Sequence, residues 1–170
     1  MRISIILPAK NEAEGLSRTL PAIAAVLPEA EVIVVDDGST DETAAIARAA
    51  GARVLSSPYS MGNGAAIKRG ARAANGEVLV FMDADGQHDP AQIPRLLARL
   101  DEGYDMVVGA RDGSGQASLG RGLANGLYNR LASWMTGHEI KDLTSGFRVA
   151  RAERRGPAED KVRMAGLSRH

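Results

Sequence analysis

Glu77-Val78-Leu79-Val80-Phe81-Met82-Asp83-Ala84-Asp85-Gly86-Gln87-His88-Asp89 joins a short apolar, β-prone run to a cluster of carboxylates. The run reads as a buried strand. If the backbone stays extended past its end, Asp83, Asp85 and Gln87 project to one side. Two carboxylates that close repel each other unless a cation lies between them, and hard divalent metals favour such oxygen ligands. Magnesium or manganese held in this way shares its shell with substrate phosphates. The stretch therefore predicts a metal–phosphate site at a strand end, where a solvated acidic turn is the plain alternative. A calcium EF-hand loop is excluded, because it needs glycine at its sixth position and a carboxylate at its twelfth. Counted from Asp83, the glycine is fourth and the twelfth residue is Pro94.

Working outward, Ile3 to Leu7 reads as a first strand closed by Pro8, and Leu16, Leu20, Ile23, Ala24 and Leu27 recur at helical spacing. Glu31 to Val35 is a second buried strand ending in Asp36-Asp37-Gly38-Ser39-Thr40-Asp41. Thr40 or Asp41 suits the N-cap of the Ala-rich helix that stops at Gly51. Arg53 to Ser56 is a short third strand, and Met61 to Ala74 a helix entered through Gly62-Asn63-Gly64. Pro90 opens another helix at its favoured first position, with Ile93, Leu96, Leu97 and Leu100 on one face. Met106 to Val108 makes a fifth strand. Alternating strands and helices with near-continuous apolar strands predict an α/β fold, a mainly parallel sheet flanked by helices. Ligands of such sheets bind beyond the carboxyl ends of the strands. Those ends carry Lys10-Asn11-Glu12, Asp36-Asp37 and Asp83-Ala84-Asp85, so the unusual polar residues converge on one rim.

Composition narrows the partners. The 170 residues suit one domain, and Lys+Arg 21 balances Asp+Glu 21, so no bulk field favours nucleic acid. With Cys 0 there is no disulfide, thiolate metal site or cysteine nucleophile. The start lacks the pattern of a signal peptide and no apolar segment is long enough to span a bilayer. A cytoplasmic protein, peripheral to a membrane at most, is the expectation. Gly62-Asn63-Gly64 fails as a dinucleotide fingerprint, since Ile67 occupies the last small-residue position, and reads as turn chemistry. His88 and His138 lack metal-ligand spacing, and Trp134 and Phe147 read as core. A phosphoacceptor receiver domain is ranked far below. It needs its acidic pair after the first strand and a lysine after the fifth, which here ends in Gly109-Ala110-Arg111.

The ordered combination resembles the family-two glycosyltransferases, and within them the polyprenyl-phosphate branch typified by dolichol-phosphate mannosyltransferase-like enzymes. Pro8-Ala9-Lys10-Asn11-Glu12 is similar to the opening motif, with Lys10 in place of the usual tyrosine. Val34 to Asp41 resembles the second motif and Asp83 to His88 the metal motif. Gly109-Ala110-Arg111 and Thr144-Ser145-Gly146-Phe147-Arg148 resemble two later ones.

The resemblance implies a GT-A fold and transfer of a sugar, with inversion, from a nucleotide-diphosphate sugar. The implied acceptor is a polyprenyl (dolichyl or undecaprenyl) phosphate at a membrane surface. By the same resemblance, Asp37 binds the nucleotide base, Pro8, Ala9 and Glu12 surround the nucleoside, and Ala84 belongs to the nucleotide site. Asp83, Asp85 and Gln87 hold Mg2+ or Mn2+ against the diphosphate, with Asp85 also counted as catalytic. Arg111 and Arg121 receive the acceptor phosphate, and Asp142 is the candidate base if the acceptor is an alcohol. The resemblance covers residues 1–149, a catalytic domain expected to be incomplete on its C-terminal side. Residues 150–170 read as a charged, disordered tail. That ending gives the rival expectation of an inactive nucleotide-sugar-binding fragment. Oligomeric state is not legible.

Overall fold

The computed structural model describes residues 1–109, 146–152 and the backbone of 164–167. Seven strands form one sheet: β1 (Ile3–Ala9), β2 (Glu31–Asp36), β3 (Arg53–Ser56), β4 (Val78–Phe81), β5 (Met106–Gly109), β6 (Arg148–Arg151) and β7 (Met164–Leu167). Among the described residues, four α-helices accompany them: α1 (Ala13–Val26), α2 (Thr43–Ala49), α3 (Asn63–Ala73) and α4 (Ile93–Asp101), the last preceded by a short 3-10 turn at Pro90–Gln92. The strand order is β3-β2-β1-β4-β6-β5-β7. Only β6 runs antiparallel to its neighbours, β4 and β5.

Side-chain alternation along the strands divides the core in two. Ile5, Leu7, Val34, Val78 and Val80 pack on one face with Leu16, Leu20 and Ile23 of α1 and Ile93, Leu96 and Leu100 of α4. Ile6, Ile33, Val35, Leu79 and Phe81 face the other way, toward Ala66 and Ala71 of α3. The sheet is therefore sandwiched between helices, which is why its central strands are apolar on both faces.

The chain leaves β1 toward β2 and β3, then returns through α3 to place β4 on the opposite side of β1. The order thus reverses between β1 and β4, and such a switch point is where open α/β sheets form their ligand crevice. Pro8 does not close β1. It stays in register with Val35 of β2, and the strand continues to Ala9. Its effect falls on the other neighbour. Met82 N–H donates to the Ile6 carbonyl at 3.2 Å, and the next β1 donor toward β4 belongs to residue 8, where proline has no N–H. The two strands part there and the crevice opens.

The expected boundary after Val149 falls inside β6, and Met164–Leu167, within the stretch expected to be a tail, pair with β5. Among the described residues, no helix is long and apolar enough to cross a membrane.

Candidate functional site

The crevice contains a cavity of about 260 Å³. Pro8 and Ala9 reach it from the end of β1, followed by Lys10 and Glu12. Asp37 comes from the end of β2, Asn63 and Ala66 from the first turns of α3, and Asp83, Ala84 and Asp85 from the end of β4. The expected nucleotide residues thus share one cavity with two of the three expected metal ligands, Asp83 and Asp85.

Around Asp37 the loops are tied by hydrogen bonds. The Asp37 carboxylate, 6 % exposed, accepts from Met61 N–H at 2.7 Å, Ser60 O–H at 2.7 Å and Gly62 N–H at 2.9 Å. The Met61 bond leads in holding its pKa below the usual aspartate value, helped by Ser60, Gly62 and the charge of Lys10. Three donors leave one of the roughly four lone-pair positions of a carboxylate for a ligand N–H. The loop after β1 is fastened to the loop after β2. Asn11, at φ +54°, accepts from Thr40 N–H at 2.8 Å, and its own N–H donates to Ser39 Oγ at 2.9 Å. Asp41 accepts from Ala13 N–H at 3.2 Å and from Thr43 N–H at 3.0 Å, so one carboxylate serves the N-termini of α1 and α2 together.

At the other wall the backbone does not stay extended. It turns at Ala84 and Asp85 and passes through Gly86 at φ +77°. Asp83 and Asp85 face the cavity, but Gln87 lines an adjoining hollow with Arg18, Thr19 and Asp89. Gln87 N–H donates to Asp85 Oδ1 at 2.9 Å and closes the turn. Two glycines make close approaches here. A Cβ on Gly15 of α1 would lie 2.2 Å from the Ala84 carbonyl oxygen, and one on Gly146 would lie 2.3 Å from Asp83 Oδ2. The turn is therefore seated on α1 below and against the lead-in to β6 beside it. His88 Nε2 lies 3.2 Å from Asp83 Oδ2.

The charge pattern fits a divalent cation shared with phosphate. Burial, then the charges of Asp85, Asp41 and Asp83, push the Glu12 carboxyl above its usual value, a sign of concentrated negative potential. Among the described residues, no group of three His, Cys, Asp or Glu side chains is arranged to hold a metal alone. Asp83 and Asp85 supply two hard oxygen donors, and ligand phosphates and water commonly complete magnesium-type shells.

Arg111, Arg121 and Asp142 lie outside the described residues, as do His138 and Trp134. The sequence reading leaves Gly15 unremarked, gives His88 no role and takes Asn63 as turn chemistry. A glycine inside the helical pattern of α1 was the available sign for Gly15. For His88 the sign was its place two residues past the turn, though nothing local shows that its ring is buried.

The sequence pattern described as Glycosyl transferase family 2 matches residues 4–154. An undecaprenyl-phosphate 4-deoxy-4-formamido-L-arabinose transferase of Photorhabdus laumondii is 37% identical over 153 residues, covering 83% of this chain and 46% of that protein. An uncharacterized glycosyltransferase of Mycobacterium tuberculosis is 40% identical over 110 residues, covering 64% of this chain and 48% of its own length. Among solved structures, glucosyl-3-phosphoglycerate synthase of Mycobacterium tuberculosis with Mn2+, uridine diphosphate and glucosyl-3-phosphoglycerate superposes with a TM-score of 0.72 at 30% identity. That match covers 89% of this chain and 57% of the other. The chain spans about half the length of the curated relatives it matches. The sheet and its flanking helices have the GT-A fold, and the chain belongs to glycosyltransferase family 2.

Proposed function

We propose that this chain carries the donor side of an inverting glycosyltransferase that moves a sugar from a nucleotide diphosphate to a polyprenyl phosphate at the cytoplasmic face of a membrane. One observation carries the reading: Asp37, Asp83 and Asp85, from the ends of two different strands, line a single cavity at the switch point of the sheet. The undecaprenyl-phosphate transferase among its relatives supports the acceptor class. The manganese and uridine diphosphate complex supports the donor class.

In this reading Asp37 offers its remaining lone pair to the base, while Pro8, Ala9 and Glu12 enclose the nucleoside. Lys10 brings a cation to the wall where the family usually carries an aromatic ring. Asp83 and Asp85, with Gln87 reaching round from the adjoining hollow, hold Mg2+ or Mn2+. Such an ion supplies Lewis-acid stabilisation of the charge that develops on the leaving diphosphate. A polyprenyl phosphate is already ionised at neutral pH, so Arg111 and Arg121 need only position it, a task suited to the guanidinium fork. Asp142 serves as base if the acceptor is an alcohol.

The match covers only 46% of the length of the undecaprenyl-phosphate transferase, which favours one second reading, nucleotide-sugar binding without transfer. Incubation with radiolabelled nucleotide sugars and polyprenyl phosphate tests both. Label should enter the lipid fraction only with divalent metal and not with Asp85→Ala. Metal-independent transfer at full rate refutes the assigned role of Asp85, and tight nucleotide binding with no transfer selects the second reading.

A further inference from the structure

We propose that His88 is a positioning residue that presents the Asp83 carboxylate to the cation of the donor site; the inference rests on the metal reading given above. The imidazole side chain is only 4% exposed, against 24% for Asp83. Nε2 lies 3.2 Å from Asp83 Oδ2. A carboxylate can only accept, so the nitrogen at that contact carries the hydrogen and donates it. The imidazole packs against the Phe147 ring, with centroids 5.2 Å apart and planes tilted by 34°. Gly146, the residue before that phenylalanine, lies so close that a Cβ there would fall 2.3 to 2.5 Å from both carboxylate oxygens and Cγ of Asp83.

Asp83 thus meets an N–H on one side and bare backbone on another, and it lines the cavity. Asp85 differs, because it accepts from the local backbone N–H of Gln87 within the same turn. Fixing one oxygen of Asp83 from behind fixes the direction in which the other is offered. Groups that orient metal ligands in this way typically cost about 10- to 100-fold in metal affinity when removed.

A ring that merely fills space can be replaced by another ring, whereas a positioning donor cannot. The test is therefore a titration of the full 170-residue chain with Mn2+ in the presence of uridine diphosphate, with free Mn2+ read by electron paramagnetic resonance. His88→Phe keeps a ring against Phe147 and loses the N–H, so its Mn2+ affinity should fall roughly 10- to 100-fold. His88→Gln restores an N–H near the same place and should recover most of the loss. Nucleotide affinity in chelator should not change in either variant. Should His88→Phe fail to fold by thermal melting, His88→Ala takes its place in the same titration. Wild-type Mn2+ affinity in the ring variant, or His88→Gln as weak as His88→Phe, overturns the proposal. Absence of Mn2+ uptake by the wild-type chain overturns the metal reading itself, and the positioning role with it.

Discussion

Around Asp37 the fastenings are hydrogen bonds between neighbouring loops, whereas around Asp83 close approaches from distant parts of the chain join the local His88 contact. The first wall is tied by Asn11, Ser39, Thr40, Asp41 and the 60–62 loop, all at the ends of adjacent strands. The second depends on Gly15 from a helix that passes beneath it and on Gly146 and Phe147, which lie some sixty residues further on. The difference teaches where each wall is vulnerable. Hydrogen bonds fail by loss of a charge or a donor, and close packing fails by addition of a single methyl group.

The largest effect is expected at the packed wall. Gly15→Ala puts a methyl group 2.2 Å from the Ala84 carbonyl oxygen and 3.0 Å from Asp85 Cα, where only backbone can yield. Thermal and denaturant unfolding should show a loss of about 3 kcal/mol, the upper range for overpacking, offset in part by alanine's better helix propensity. Manganese-dependent nucleotide binding should fall with it. A Gly15→Ala chain with undiminished stability and metal dependence breaks the contrast.

At the hydrogen-bonded wall, Asp37→Asn replaces an ionised acceptor facing three donors and should cost about 2 kcal/mol, in the range for hydrogen bonds to a charged group. The same carboxylate predicts a pH dependence. Its folded-state pKa lies below the ordinary aspartate value, chiefly through the Met61 N–H. Its stabilisation is therefore complete above the unfolded-state value and is lost as pH falls through the lower folded-state one. Unfolding curves collected through the acid range should show that loss in the wild type and not in Asp37→Asn. Equal acid sensitivity in both assigns the effect to other carboxylates.

The smallest effect belongs to Gln87→Ala. Gln87 is exposed and its backbone N–H, which closes the turn, survives the substitution. Stability should change by less than about 0.5 kcal/mol. A metal affinity that drops with it identifies Gln87 as a ligand that swings round to the cavity; an unchanged affinity removes Gln87 from the protein donors.

Legibility in the sequence follows the same division. The buried strands announce themselves as apolar runs, and the strand-end acidic residues follow immediately, so the fold class and the shared rim could be read from Ile3 to Asp85. The period-two projection puts Gln87 beside Asp83 and Asp85 because it assumes extended backbone, while the chain turns at Ala84 and Asp85. Pro8 reads as a stop in sequence because a one-dimensional pattern does not say which neighbour would receive the missing N–H. Gly15, His88 and Gly146 act on partners that only the three-dimensional fold brings near. No spacing rule encodes those approaches.

Phosphorus resonance of uridine diphosphate bound to the chain, recorded as Mn2+ is added, tests the central claim most directly. If Asp83 and Asp85 share a cation with the diphosphate, both phosphorus lines broaden strongly in the wild type. In Asp83→Asn/Asp85→Asn the same broadening should need the higher Mn2+ concentration that uridine diphosphate needs in solution without protein. Equal broadening of bound nucleotide in the wild-type and doubly substituted chains would contradict the account.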